Sequence, residues 1–181
     1  MSTNEERNII QSLQDNSTRR QAFEWIVRQY NQQLYWQIRR MVFSHDDAND
    51  ILQNSFIKAW LNIEQFRGDS KLSTWLYRIT LNETLNFLQR QKEQTSLDSP
   101  EGSIANQLAS DPYFDGDETD RQLQEAISQL PDKQRAVFTL KYYKDMKYED
   151  MSQILDTSVG ALKASYHHAV KKICDFFNAI D

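Results

Sequence analysis

The sequence predicts an all-α protein: two small helical bundles joined by a flexible acidic linker. Three observations lead there. Apolar residues recur at three- and four-residue steps through both ends of the chain, no segment alternates with period two, and the whole acidic excess lies in one central stretch. At 181 residues the chain allows one medium domain or two small ones.

Residues 1–95 form the first bundle, with 12 basic and 11 acidic side chains. From Thr18 to Phe43, the residues Phe23, Ile26, Val27, Tyr30, Leu34, Ile38, Met41 and Val42 trace one buried helical stripe. A second helix runs from about Asp46 to Ile63, turning Ala48, Leu52, Phe56 and Ala59 inward and Asp50, Gln53, Asn54, Ile57 and Leu61 outward. Two apolar residues amid polar ones on an outward face suggest a partner surface. Taken alone, that face reads more plainly as ordinary scatter of surface apolar residues.

The loop FRGDSK, Phe66 to Lys71, leads into a third helix from Ser73 to about Lys92. Its buried stripe is Tyr77, Leu81, Leu85 and Leu88, while Trp75, Arg78, Asn82, Asn86 and Gln89 fall within an arc of about 80°. Aromatics stack, amides read base edges and arginine holds the backbone, so this face suits unpaired bases. Most aromatics must be core, and Trp75 stands apart because its neighbours on that face are polar.

Residues 96–120 carry no basic and seven acidic side chains, with two of the three prolines and two of the four glycines, and read as a linker. The net charge of −5 therefore belongs to the linker and not to the bundles, which are near neutral and free to present basic faces. Residues 121–181 form the second bundle, with breaks at Pro131, near Asp145 and at Asp156. The segment Tyr148–Ile173 has helix-turn-helix form. A short helix buries Met151, Ile154 and Leu155, the chain breaks at Asp156-Thr157, and Ser158 caps a second helix that buries Leu162, Tyr166 and Ile173. That helix opens with small residues, Gly160, Ala161 and Ala164, and its outer face carries Lys163, Ser165, His167, Lys171 and Lys172. Such a helix can approach a groove closely, although a helical hairpin with no DNA role is the simpler alternative.

Several classes fall away. One cysteine excludes a disulfide framework and a multi-cysteine zinc site. Adjacent histidines on a helix point about 100° apart, so His167 and His168 do not readily share a metal ion. No Gly-x-Gly-x-x-Gly or Walker pattern, apolar run of membrane-spanning length or signal-peptide hydrophobic region occurs, so no cofactor is expected and the chain is expected to be cytoplasmic, without membrane insertion.

Together, the runs DDANDILQNSFIKAW, FRGDSKLSTWLYRITLN, LPDKQRAVFTLKYYKDMKYEDMSQIL and SVGALKASYHHAVKKI resemble a bacterial extracytoplasmic-function sigma factor of the minimal two-domain type, over nearly the whole chain. The resemblance implies a transcription initiation factor with no catalytic residue of its own. Asp50, Gln53, Asn54 and Ile57 would bind the clamp coiled coil of core RNA polymerase, with the flap as a further contact. Phe66, Arg67, Ser70, Lys71, Trp75, Arg78, Asn82 and Asn86 would open the minus-10 element and capture a flipped base. Ser158, Val159, Gly160, Ala161, Lys163, Ala164, Ser165, His167, His168 and Lys171 would read the minus-35 element in promoter DNA. An anti-sigma factor, often membrane-bound, would hold the protein inactive.

Three positions depart from the family pattern. Asp156 stands where glycine usually makes the turn, and tolerates a left-handed backbone better than most residues. Ser165 and His168 replace arginines, which weakens the expected phosphate grip. Two rival readings remain in view. A dimeric helix-turn-helix regulator leaves the Trp75/Arg78/Asn82 face idle, and a magnesium-binding prenyl-diphosphate enzyme, suggested by the Asp46–Asp50 run, needs a second acidic motif and a large cavity.

Overall fold

The computed structural model describes residues 3–95 and 116–180. In order, the elements are α1 (Thr3–Gln14), α2 (Arg19–Val42), α3 (His45–Leu61), a 3-10 turn (Ile63–Gln65), α4 (Leu72–Thr95), α5 (Glu118–Ser128), α6 (Asp132–Lys144), α7 (Tyr148–Leu155) and α8 (Val159–Ile180). No strand occurs among the described residues, in keeping with the all-α expectation.

The spine is α2, a 24-residue helix about 36 Å long. Ala22, Ile26, Tyr30, Leu34, Ile38 and Met41 make its buried stripe, and α1, α3, α4 and α6 all pack on it. Phe43 ends the helix in a left-handed conformation, φ 60°, and its N–H donates to the Arg39 carbonyl. Ser44 then caps α3, accepting from the Asp47 N–H at 3.3 Å, with Asp46 and Asp47 favourably placed in the first turn. Where α3 ends, the Asn62 side chain donates to the Lys58 carbonyl at 2.8 Å, and the 3-10 turn leads to Gly68, φ +79°, before α4 begins.

In the second bundle, Asp145 and Asp156 end α6 and α7 in left-handed conformations, φ 44° and 48°. The turn at Asp156 therefore forms without glycine, as the sequence predicts. Ser158 caps α8, accepting from the Ala161 N–H at 3.3 Å.

Three features depart from the sequence reading. First, Thr3–Gln14, to which the sequence reading assigns no element, is a helix: α1 buries Leu13 and packs Ile9 and Ile10 on the core. Second, the acidic stretch assigned to the linker through Asp120 becomes helix at Glu118. Asp117 accepts from the Asp120 N–H at 2.9 Å while the Asp120 side chain takes the Asp117 N–H, a reciprocal cap. Residues 96–115, the rest of the linker assignment, lie outside the described residues.

Third, the two bundles are docked. Ala136, Val137, Leu140, Met151, Ile154 and Leu162 join one continuous core with the first bundle. A smaller core, centred on Ile127, Leu130, Phe138, Ala169 and Ile173, takes in Phe43 from the other half. Polar groups cross the same junction. Gln37 donates to the Thr139 hydroxyl at 2.9 Å in a fully buried contact. Arg135, only 7% exposed, donates to the carbonyls of Met41, Ser128 and Leu130 at 2.8, 2.5 and 3.2 Å.

Candidate nucleic-acid interface

Three surfaces hold the residues singled out by sequence. The first is the outer face of α4 with the loop before it. Arg78, Asn82, Asn86 and Gln89 are exposed along one arc, as the helical spacing predicts. Trp75 is half-buried, its ring 4.9 Å from that of Phe66. Phe66 itself corrects the sequence reading: at 5% exposure it belongs to the core and not to a DNA surface. Its signal was present, because residues three apart eclipse in a 3-10 turn, and Phe66 follows the buried Ile63 by three. Arg67 is exposed, and Ser70 is half-buried with its hydroxyl donating to the Lys71 carbonyl at 3.4 Å.

The two cations flanking Trp75 are engaged by the other bundle. Lys71 Nζ lies 3.2 Å from Asp150 Oδ1 on α7. Arg78 donates through Nε at 3.0 Å, and through a terminal nitrogen, to the Gln153 carbonyl. That carbonyl lies in the last turn of α7, where intrahelical donors run out, so Arg78 serves as its cap from outside.

The second surface is α3. Asp50, Gln53, Asn54 and Ile57 are exposed as expected. Asp50, Gln53 and Ile57 line a groove of about 650 Å³ with Phe23, Phe56, Trp60 and Leu61. Leu61 is 71% exposed, Ile57 51% and Trp60 40%. Trp60 was not legible from the inward stripe; it stands on the groove wall with its ring 5.1 Å from Phe23. Asp50 and Asn54 also border a more polar cleft of about 510 Å³ with Asp47, Glu83 and Arg90.

The third surface is α8. Ser158, Gly160, Ala161, Lys163, Ala164, His167, His168 and Lys171 are exposed, while Val159 and Ser165 are half-buried. A Cβ on Gly160 would meet nothing within 4 Å, so the start of the helix is open to approach. Lys163 hangs 5.7 Å from the Tyr148 ring, and the His167 and His168 rings are 6.0 Å apart at a steep angle. Lys172 is exposed too, and donates to Gln134 Oε1 at 3.1 Å.

Between the bundles, Arg40 lies 4.0 Å over the Tyr143 ring, and burial lowers its pKa from the usual guanidinium range. Burial pushes the Tyr77 phenol up to about 12, reinforced by Tyr30 and opposed by Arg40. These groups hold fixed charge states at neutral pH and serve as structure. Among the described residues no cluster of three or more His, Cys, Asp or Glu could hold a metal ion, and no helix is long and apolar enough to cross a membrane.

Comparison with known proteins agrees with this geometry. The family model for Sigma-70 region 2 matches residues 26–94, and that for Sigma-70 region 4 matches residues 120–173. The chain is 35% identical to the ECF RNA polymerase sigma factor SigW of Bacillus subtilis, over 81% of this chain and 83% of that one. It is 30% identical to the ECF RNA polymerase sigma-E factor of Haemophilus influenzae, over 85% and 86% of the two chains. Its fold is that of the sigma factor RpoE in complex with the anti-sigma factor NepR from Bartonella quintana, with a TM-score of 0.70 over 86% of this chain and 96% of that one at 22% identity. CnrH in complex with the cytosolic domain of CnrY gives 0.71 over 97% and 99% at 20% identity. Matches at both ends of the chain, in order, leave the helix-turn-helix no separate explanation: this protein belongs to the extracytoplasmic-function sigma factors, alternative sigma factors of transcription initiation, a family that binds RNA polymerase and is known for no enzymatic chemistry of its own.

Proposed function

We propose that this protein carries core RNA polymerase to a two-element promoter in the cytoplasm, with residues 1–95 opening the minus-10 element and residues 121–181 reading the minus-35 element. The exposed arc of Arg78, Asn82 and Asn86 beside Trp75 is the observation that carries the reading. Unstacking costs a few kcal/mol per step, and stacking a captured base on an aromatic returns about 1–3 kcal/mol. Arg67, Ser70 and Lys71 contribute from the loop. The groove on α3, with Asp50, Gln53, Asn54 and Ile57, takes the clamp coiled coil of the polymerase, its apolar walls of Trp60 and Leu61 supplying most of the attraction. The second bundle adds a contact to the flap and sets α8 in the major groove. The neighbour RpoE occurs in complex with an anti-sigma factor, which supports a similar inhibitor here; that this inhibitor is anchored at the membrane is part of the proposal.

Run-off transcription with core polymerase on genomic fragments tests this and recovers the promoters. Asn82→Ala lowers open-complex formation about tenfold, the loss of one stacked and hydrogen-bonded base, without changing polymerase affinity. Asp50→Ala does the reverse. Tight dimeric binding of duplex DNA without polymerase would overturn the proposal in favour of a simple regulator.

A further inference from the structure

Helix α1 lies outside the segments matched by both family models, yet it meets the 66–71 loop and its flanks directly through Glu6 and Ile10, and indirectly through Arg19 of α2. Glu6, half-buried, accepts through Oε1 from the Leu72 N–H at 2.5 Å. Leu72 is the first residue of α4, so its amide is one of the donors a helix start leaves unpaired. Farther along α1, Ile10 lies under the loop apex: a Cβ on Gly68 would sit 3.5 Å from Ile10 Cδ1. At the C-terminal end of α1, Arg19 donates to the Leu13 carbonyl at 2.8 Å and to Glu64 Oε1 at 2.6 Å, tying α1 to the 3-10 turn from which the loop departs.

The residue at the α4 N-cap explains why such a tie is needed. The Lys71 carbonyl accepts from the Trp75 N–H at 3.1 Å, which places Lys71 at the cap. Caps are normally Ser, Thr, Asp or Asn, whose side chains accept from the exposed amides; a lysine ammonium has only donors. A carboxylate at position 71 would cap well but repel DNA phosphate. Glu6 supplies the missing acceptor from another helix, with the sign the helix dipole favours, and leaves position 71 cationic.

We propose that Glu6 and Ile10 are positioning residues for base capture: α1 braces the loop and the first turn of α4, holding Lys71 and Trp75 in the geometry that receives the unpaired minus-10 base. The inference rests on the α4 reading above, and the test separates the two. Holoenzyme made with each full-length variant is assayed on a promoter recovered by run-off transcription and on versions altered at the captured base. The readout is the ratio of initiation on the original base to that on the altered bases. Simple destabilisation lowers all rates together and leaves that ratio alone.

In Glu6→Ala the ratio falls about fivefold, the scale of one lost helix cap. Glu6→Gln, whose amide oxygen still accepts from Leu72, keeps it. Ile10→Ala, which leaves the Glu6 hydrogen bond in place, lowers it as well. An unchanged ratio in Glu6→Ala and Ile10→Ala, with a collapsed ratio in Asn82→Ala, would overturn the brace. Equal losses in Glu6→Ala and Glu6→Gln would overturn the cap as its cause. An unchanged ratio in Asn82→Ala itself would overturn the α4 reading on which the brace depends.

Discussion

On α4, the cations beside the proposed base-capture face already have partners, Asp150 for Lys71 and the Gln153 carbonyl for Arg78. On α8, Lys163, His167, His168 and Lys171 stand exposed. Both faces offer exposed cations, but those beside α4 are already bonded to a neighbouring helix. Their partners are instructive. A carboxylate and a helix-end carbonyl present oxygen acceptors, the same chemical kind as phosphate oxygens. On the proposed reading, DNA that takes Lys71 and Arg78 competes with the acceptors of α7, whereas Lys163 and Lys171 on α8 stand exposed. The proposed minus-10 capture thus competes with contacts between the bundles at Lys71 and Arg78.

The strongest way to break the contrast is Arg135→Ala. Arg135 crosses the junction with its hydrogen bond to the Met41 carbonyl and holds Ser128 and Leu130 within its own bundle. Its loss strands buried carbonyls and costs about 3 kcal/mol, read as a lower urea midpoint and a separate transition for the second bundle. With the bundles apart, Lys71 and Arg78 lose their partners on α7. A single cooperative transition of unchanged midpoint would show that the junction does not depend on Arg135.

Lys171→Ala tests the α8 side. Duplex affinity drops a few-fold on all sequences alike, and the slope of log K against log salt falls by about 1, as for one lost phosphate contact. An unchanged slope would remove Lys171 from the DNA face. Asp150→Asn is the smallest perturbation, since the Lys71 and Asp150 side chains are 61% and 27% exposed and water screens the pair. Freeing Lys71 raises affinity for single-stranded minus-10 DNA by less than about fivefold, and the gain fades as salt rises. A larger gain would mean that Asp150 holds α7 on α4 by itself.

Much of this was legible locally. The left-handed turn at Asp156, the Ser158 cap and the exposed arc of Arg78, Asn82 and Asn86 follow from spacing and residue chemistry within a turn or two. The junction was not, because its contacts join residues far apart in sequence, 102 positions for Gln37 and Thr139. Periodicity marks Met151, Ile154 and Leu162 as buried but does not say against what. Phe66 and the start of α5 fall between these cases. Their signals, Ile63-x-x-Phe66 and Asp117-x-x-Asp120, were short and sat inside stretches dominated by loop composition.

The bond between Arg78 and Gln153 also has a schedule. Its partners lie 75 positions apart, and at about 5–20 residues per second a ribosome needs roughly 4–15 s to make the second after the first. For that interval Arg78 exists without its Gln153 acceptor. A freshly made chain thus passes through a window in which Arg78 and Lys71, beside the proposed base-capture face, have no acceptors from α7, so any group that competes for them during translation would have to arrive from another molecule.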